Sequence, residues 1–331
     1  MSTATPVPET WELTGDDARQ TLRTCGRWKL VRDAYVRLRV ADGFSHARSL
    51  AYVTSLVLVQ AIIALVGLAS ALGRGGVSNV IVRTLKAAVP GPGGRLLTDA
   101  VVQAHRSGAS HRYTALTLGL VGALISGTTL MGQLERGLNR IYGVEQDRPT
   151  LKKYGLAFVL AVTTGVLASG AFALFAFGRT IGNAIDNAAL NDVWGVIRWP
   201  VALVLIATAI TVLFQRAPRR HQPGLSWLAF GATVSVALWA LSTVALGAFF
   251  SASKSFGQTY GPLAGVVALL LWALFSSVAL LFGGAVAAQL EAVRAGDSKP
   301  QDDAKVAHSE PEHSTGPSNE RENDVVPAGR Q

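Results

Sequence analysis

Six stretches of this chain contain no Asp, Glu, Lys or Arg: Ser49–Gly73, Tyr113–Leu134, Tyr154–Gly178, Trp199–Gln215, His221–Ser253 and Ser255–Leu290. No other feature limits the fold as strongly. A bilayer core takes about 20 apolar residues of helix to cross. Inside it every backbone N–H and C=O must be bonded within the structure, which a helix achieves within its own segment. The buried helices of a soluble protein are usually shorter and keep a polar stripe. Only 15% of the residues are charged, against roughly 25% in ordinary soluble domains. The expected fold is therefore all-α, a polytopic membrane protein with six transmembrane helices. They are placed at about 50–72, 113–133, 155–178, 194–214, 225–250 and 261–290, in one transmembrane domain over 49–291. The first run follows a long charged segment with aromatics, which is not the layout of a cleavable leader.

Charge then orients the bundle. With a cytoplasmic amino terminus, the inside segments hold eight Lys and Arg in 1–48, five in 135–153, three in 216–220 and five in 291–331. The outside segments hold six in 74–112, then Arg179 and Lys254, and Arg198 sits at the start of the fourth helix. Positive charge stays inside, so the expected location is the plasma (inner) membrane, multi-pass, with both termini cytoplasmic. On that reading the net charge of +9 serves topology rather than nucleic acid, and no nucleic-acid partner is expected.

The flanks carry their own expectations. Residues 1–48 form a cytoplasmic segment whose first 18 residues, polar and holding Pro6 and Pro8, are expected to be mobile. An amphipathic helix follows in "RWKLVRDAYVRLRV", with Trp28, Val31, Tyr35 and Leu38 on its apolar side and Arg27, Lys29, Arg32 and Arg37 on the rest. It either lies on an anionic leaflet or packs under the bundle. In loop 73–112, "VSNVIVRTLKAAV" and "RLLTDAVVQAHR" read as short amphipathic helices interrupted by "PGPGG". They predict an outer amphipathic helical hairpin acting as a passive cap. From Asp297 on, eight acids face four Lys and Arg and apolar content collapses, so 292–331 is expected to be a disordered cytoplasmic tail.

Signals of enzyme chemistry are missing. A nuclease needs carboxylates clustered on a divalent metal or a histidine pair. Histidines 46, 105, 111, 221, 308 and 313 have no metal-ligand spacing. Neither GxxxxGK[ST] nor GxSxG occurs, and the lone Cys25 forms no internal disulfide. No catalytic residue, metal or cofactor is expected.

Within the spans, small residues recur three or four apart: Gly119, Gly122 and Ser126; Gly165 and Ser169; and Gly261, Gly265, Gly283, Gly284, Ala287 and Ala288. Such faces let helix backbones approach closely; the alternative is a substrate groove. Tyr260, Gly261, Pro262, Gly265, Gly283 and Gly284 are the candidate packing or hinge positions of the last helix. Thr163, Thr164, Ser276 and Ser277 can bond their own helices, so among these polar residues only Gln60 asks for a partner. No ionisable residue lies near a helix centre, which argues against a proton relay or voltage sensor.

Between the second and third runs, "GQLERGLNRIYGVEQDRP" packs three arginines and three acids. Leu134, Leu138 and Ile141 continue the apolar helix face, Glu135 and Asn139 share a second face, and Arg136 and Arg140 a third. Glu135 can pair with Asn139 or simply terminate the bundle, and Arg136, Arg140 and Arg148 can reach phospholipid headgroups. The stretch is thus either a helix end with retention charges or a headgroup or substrate contact built from Glu135, Arg136, Asn139, Arg140 and Arg148.

Two stretches resemble the YihY/BrkB family of integral inner-membrane proteins, formerly labelled ribonuclease BN. "LERGLNRIYGVEQDRPTLKKYGLAF" is similar to the family's junction between its second and third helices, and "TYGPLAGVVALLLWALFSSVALLFGGAVAAQLE" to its Tyr-Gly-x-Leu start and long last helix. With "ADGFSHARSLAYVTSL", the resemblance covers about residues 40–292. Two departures stand out. "SLVLVQAII" lacks the family's proline, and Gly284-Ala285 is followed by Val286 where the family places an acid. The resemblance implies a transporter-like or flippase-like protein for an amphipathic, lipid-like envelope molecule, with membrane lipids as partners. A second copy of the chain or other envelope proteins are further candidates. A non-transporting scaffold is the alternative. The old nuclease label fits neither the missing metal ligands nor the six spans.

Overall fold

The computed structural model describes residues 4–71, 76–183, 188–253, 256, 260 and 263–301. Lys254, Gly261, Pro262 and the tail from 302 onward lie outside the described residues. The described chain is helical: α1 (Gly15–Cys25), α2 (Arg27–Val40), α3 (Gly43–Ala71), α4 (Gly76–Ala88), α5 (Gly91–Ile141), α6 (Thr150–Asn183), α7 (Ala188–Arg216), α8 (Leu225–Ala252) and α9 (Leu263–Arg294). Six segments are long and apolar enough to cross a membrane: Gly43–Leu68, Tyr113–Ile141, Thr150–Ala176, Asn191–Arg216, Leu225–Ala252 and Leu263–Arg294. Leu118, Ile125, Val166, Leu241 and Val244 point outward from them. In water such a surface would drive aggregation; against acyl chains it is the required one. This is an integral, all-α membrane protein.

Close backbone approach holds the bundle together. A Cβ on Gly119 would lie 2.5 Å from the Ala64 nitrogen, and one on Gly231 2.6 Å from the Gly283 carbonyl oxygen, so α5 meets α3 and α8 meets α9 without intervening side chains. In α6 the small residues do something else. Nothing lies within 4 Å of a Cβ on Gly165, and Ser169 is exposed. Helix packing, expected there, is absent because that face of α6 turns away from the other helices. Gln60 lies against Gly122, and its Oε1 has no hydrogen-bond partner.

The hairpin is wedged deeper than a passive cap. Gly91, at φ 65, makes the turn from α4, and the second helix continues unbroken into the long α5. Leu85, Val89, Leu97 and Val101 are buried with Val66, Leu246, Phe250, Leu269 and Trp272. Small residues at the tip permit this, since a Cβ on Gly93 would lie 3.0 Å from the Leu269 nitrogen.

At the amino end, Arg37 turns inward from the side expected to be polar, and the expected mobility of the first residues is corrected. Helix α2 buries Leu30, Asp33, Ala34, Arg37 and Leu38, whereas Trp28, Val31 and Tyr35 face outward, Trp28 at 86% exposure. The face with small Ala34 packs on α9, and the bulky aromatic stripe is left for the surface. Residues 4–10, expected to be mobile, form a pinned strap. The Thr5 N–H donates to the Pro300 carbonyl at 3.2 Å and the Val7 N–H to that of Tyr142 at 3.1 Å. Ala4 and Val7 are buried. Gly143, at φ 73, permits the crossing, since a Cβ there would lie 2.6 Å from the Pro6 Cα.

Candidate functional site

One end of the bundle gathers the start of α3, the end of α5, the start of α6, the end of α7, the start of α8 and the end of α9. Among the described residues, the buried charged and amide side chains gather there. It has two parts, a joint between connections and a buried charge cluster beneath the strap.

The joint is built on Asn139 and Arg148. Asn139 is fully buried; its Oδ1 accepts the Arg219 backbone N–H at 2.8 Å and its Nδ2 donates to Asp147 Oδ1 at 3.1 Å. Arg148 donates to the carbonyls of Ala217 at 2.6 Å, Pro218 at 2.8 Å and Arg216 at 3.4 Å. A guanidinium on the last carbonyls of a helix satisfies orphan acceptors and the negative end of its dipole, so Arg148 caps α7. Its Nη1 also lies 3.0 Å from Glu135 Oε1, an ion pair without hydrogen-bond alignment. Asp147 Oδ2 accepts from Lys153 Nζ at 3.0 Å and faces Arg136 Nε at 3.4 Å. Burial pushes the Asp147 carboxyl up, but the bonds from Lys153 and Asn139 and the charges of Lys153 and Arg136 outweigh it, so it titrates below the usual range.

The cluster beneath the strap centres on two arginines. Arg37 is fully buried; its Nε donates to Gln289 Oε1 at 2.7 Å, and its Nη1 to the carbonyls of Thr5 at 2.9 Å and Ile141 at 3.2 Å. Burial lowers its pKa to about 10, which still leaves it charged at neutral pH. Arg220 grips Glu291 with two bonds of 2.7 and 3.2 Å, donates to the Pro8 carbonyl at 2.8 Å, and lies 4.7 Å over the Tyr142 ring. Thr10 adds a hydroxyl bond to Glu291 Oε1 at 2.5 Å. Burial pushes the Tyr142 phenol well up, so it stays neutral. Among the described residues, no group of three His, Cys, Asp or Glu could hold a metal ion. The arrangement provides fixed charges and donors suited to holding an anion.

The sequence-derived candidates separate accordingly. Glu135, Asn139 and Arg148 come together, with Glu135 pairing to Arg148 rather than to Asn139. Arg136 stands at the edge with its side chain 48% exposed. Arg140 is half-buried and donates to the Glu145 carbonyl at 3.4 Å. On α9, Gly265 abuts Leu96, Gly283 abuts Gly231, and Gly284 abuts Leu138, while Tyr260 is exposed with its ring 4.9 Å from that of Phe256. Sequence reasoning missed Thr10, Arg37, Tyr142, Arg220, Gln289 and Glu291 as one cluster. A signal was available for Glu291, which ends the last charge-free run two residues after Gln289.

Comparison with known proteins finds relatives of the chain as a whole. The family model for virulence factor BrkB matches residues 34–308. The chain is 27% identical to the ribonuclease-like protein YfkH of Bacillus subtilis over 53% of this chain and 65% of that protein. It is 29% identical to a UPF0761 membrane protein of Rhodospirillum centenum over 86% of this chain and 63% of that one. A UPF0761 membrane protein of Rhodospirillum rubrum is 30% identical over 74% of this chain and 54% of its own length. The chain therefore spans between 54 and 65% of the length of these three relatives. No solved structure matches.

Proposed function

The chain belongs to the virulence factor BrkB family, and from that membership we propose that it moves or accommodates an anionic, lipid-like amphiphile at the membrane boundary. The proposed setting is the plasma membrane, with the charged end cytoplasmic and membrane lipids as the partners. The observation that carries the reading is a groove between α2 and α9. It is an open depression of about 830 Å³ lined by Trp28, Lys29, Val31, Arg32, Tyr35 and Phe282. That volume lies within the roughly 300–1,000 Å³ of ligand clefts. Lys29 and Arg32 suit an anionic headgroup, while Phe282 and the aromatic stripe suit the start of its chains. Arg136, at the exposed edge of the joint, lies at the same end.

The test reconstitutes the full chain in liposomes with headgroup-labelled phosphatidylglycerol and follows its appearance in the opposite leaflet. Transfer above protein-free vesicles, reduced by Trp28→Ala and by Arg32→Glu, is expected. If no labelled envelope lipid moves, and none co-purifies in a Trp28-dependent manner, the reading is wrong.

A further inference from the structure

The cluster beneath the strap contains more donors than acceptors. Arg37 Nη2 and Arg220 Nε are buried with no hydrogen-bond partner, as are the Tyr142 hydroxyl and the side-chain amide of Gln222. Gln222 lies beside the Tyr142 hydroxyl, outside hydrogen-bond geometry. Two guanidiniums share this space with one buried carboxylate, Glu291, and Asp297 acts on Arg37 from beyond the end of α9. The hydrogen bonds of Arg37 go to neutral oxygens only. A buried cation without a bonded anion is costly, and unused donors beside it raise the cost further.

The strap meets part of that demand. Its Thr5 carbonyl bonds Arg37 and its Pro8 carbonyl bonds Arg220, at 2.9 and 2.8 Å. Oxygens from one short segment thus serve two guanidiniums, the planar forks that also suit phosphate oxygens. The strap itself is held by polar contacts rather than by large apolar side chains. Its buried apolar side chains are the small Ala4 and Val7; the Thr5 and Val7 N–H groups, a bridge from Ala4 to Gln301, the Thr10 hydroxyl on Glu291 and Glu9 on His221 hold the rest.

We infer that Arg37 and Arg220 form a binding site for a phosphate-type oxyanion, and that the strap closes it with the Thr5 and Pro8 carbonyls standing where the oxyanion's oxygens bind. The ligand displaces residues 4–10, takes up Arg37 Nη2 and Arg220 Nε, and leaves Gln289 and Glu291 holding the arginines from behind. Helix α2 is the wall between this site and the outer groove, with Arg37 on one face and Trp28 and Tyr35 on the other. The inference rests on the proposed handling of an anionic amphiphile only for the source of the oxyanion.

Hydrogen–deuterium exchange on the full chain in a neutral detergent tests it, with inorganic phosphate, dihexanoyl phosphatidic acid and dihexanoylglycerol as probes. At about ten times its dissociation constant for the open state, a probe raises the open population, and so the exchange of the Thr5 and Val7 amides, about tenfold. Acceleration by inorganic phosphate as well as by the phosphatidic acid marks a free oxyanion site. Acceleration by the phosphatidic acid alone marks a headgroup site. Arg37→Gln abolishes either response, and if that variant does not fold, Arg220→Lys, which keeps the charge but loses the fork, must weaken it several-fold. Unchanged exchange with both phosphate probes, an equal effect of dihexanoylglycerol, or a full response in both variants overturns the inference. Failure of lipid transfer in liposomes leaves these outcomes untouched, so the two readings fail separately.

Discussion

Replacing Glu291 with Gln measures how much the chain depends on its buried ion pair. The substitution keeps shape and one acceptor but withdraws the charge facing Arg220, whose side chain is 2% exposed against 0% for Glu291. Arg220 then keeps neutral acceptors, the amide oxygen and the Pro8 carbonyl, and the Tyr142 ring, but no anion bonded to it. Removing one partner of a buried pair costs about 3–5 kcal/mol, because the other charge remains out of water. At about 1.4 kcal/mol per decade this is roughly a 10² to 10⁴-fold shift in the unfolding equilibrium. Glu291→Gln combined with Arg220→Met removes the stranded charge, so the double variant is expected to be more stable than the sum of the singles implies. Arg19→Ala, which breaks a pair whose side chains are 79 and 94% exposed, is the control and leaves the melt unchanged. The assay is reversible unfolding in mixed micelles at fixed detergent composition. A Glu291→Gln cost under about 1 kcal/mol, or strict additivity in the double variant, would refute the claim that this pair is desolvated.

Three further outcomes follow from the geometry. Gly231→Ala puts a Cβ 2.6 Å from the Gly283 carbonyl oxygen and 2.9 Å from the Ala287 Cβ; it should cost about 1–3 kcal/mol by overpacking, whereas Gly165→Ala leaves the melt unchanged. The folded pKa of Asp147 lies below its unfolded value near 4, so it contributes stability that is present above about pH 4 and lost as pH falls through the folded value. Asp147→Asn should therefore flatten the melt-versus-pH curve below about pH 4. Arg148→Gln uncaps α7, and faster exchange of the amides in the connection from α7 to α8 is the expected signature.

The spans were legible because desolvation acts on each residue alone: a charge-free run long enough to cross is apolar whatever its neighbours do. Glu135, Asn139 and Arg148 were legible as members of one charged stretch because they are close in sequence, but not as partners of one another. Arg37 was not. Its partners Gln289 and Ile141 lie 252 and 104 residues away, and nothing in a helix with arginines on several faces says which one turns inward. The aromatic stripe of α2 left its two placements open for a related reason, since in a membrane the surface also takes aromatics. The strap was hidden more thoroughly, because it acts through backbone carbonyls, which every residue has. The wedge of the hairpin was half visible: "PGPGG" marked the turn, but not that its glycines make room for α9.

The joint at the charged end also has a mechanical consequence. Arg148, Asn139 and Arg219 tie the connection between α5 and α6 to the one between α7 and α8, so four of the six spans share a fulcrum. Sliding or twisting these spans past one another there would break the α7 cap and strand Asn139 together. Tilting about the fulcrum breaks neither, and a lever of helices this long turns a small tilt into its largest displacement at the far end, where the α4–α5 hairpin is wedged against α8 and α9.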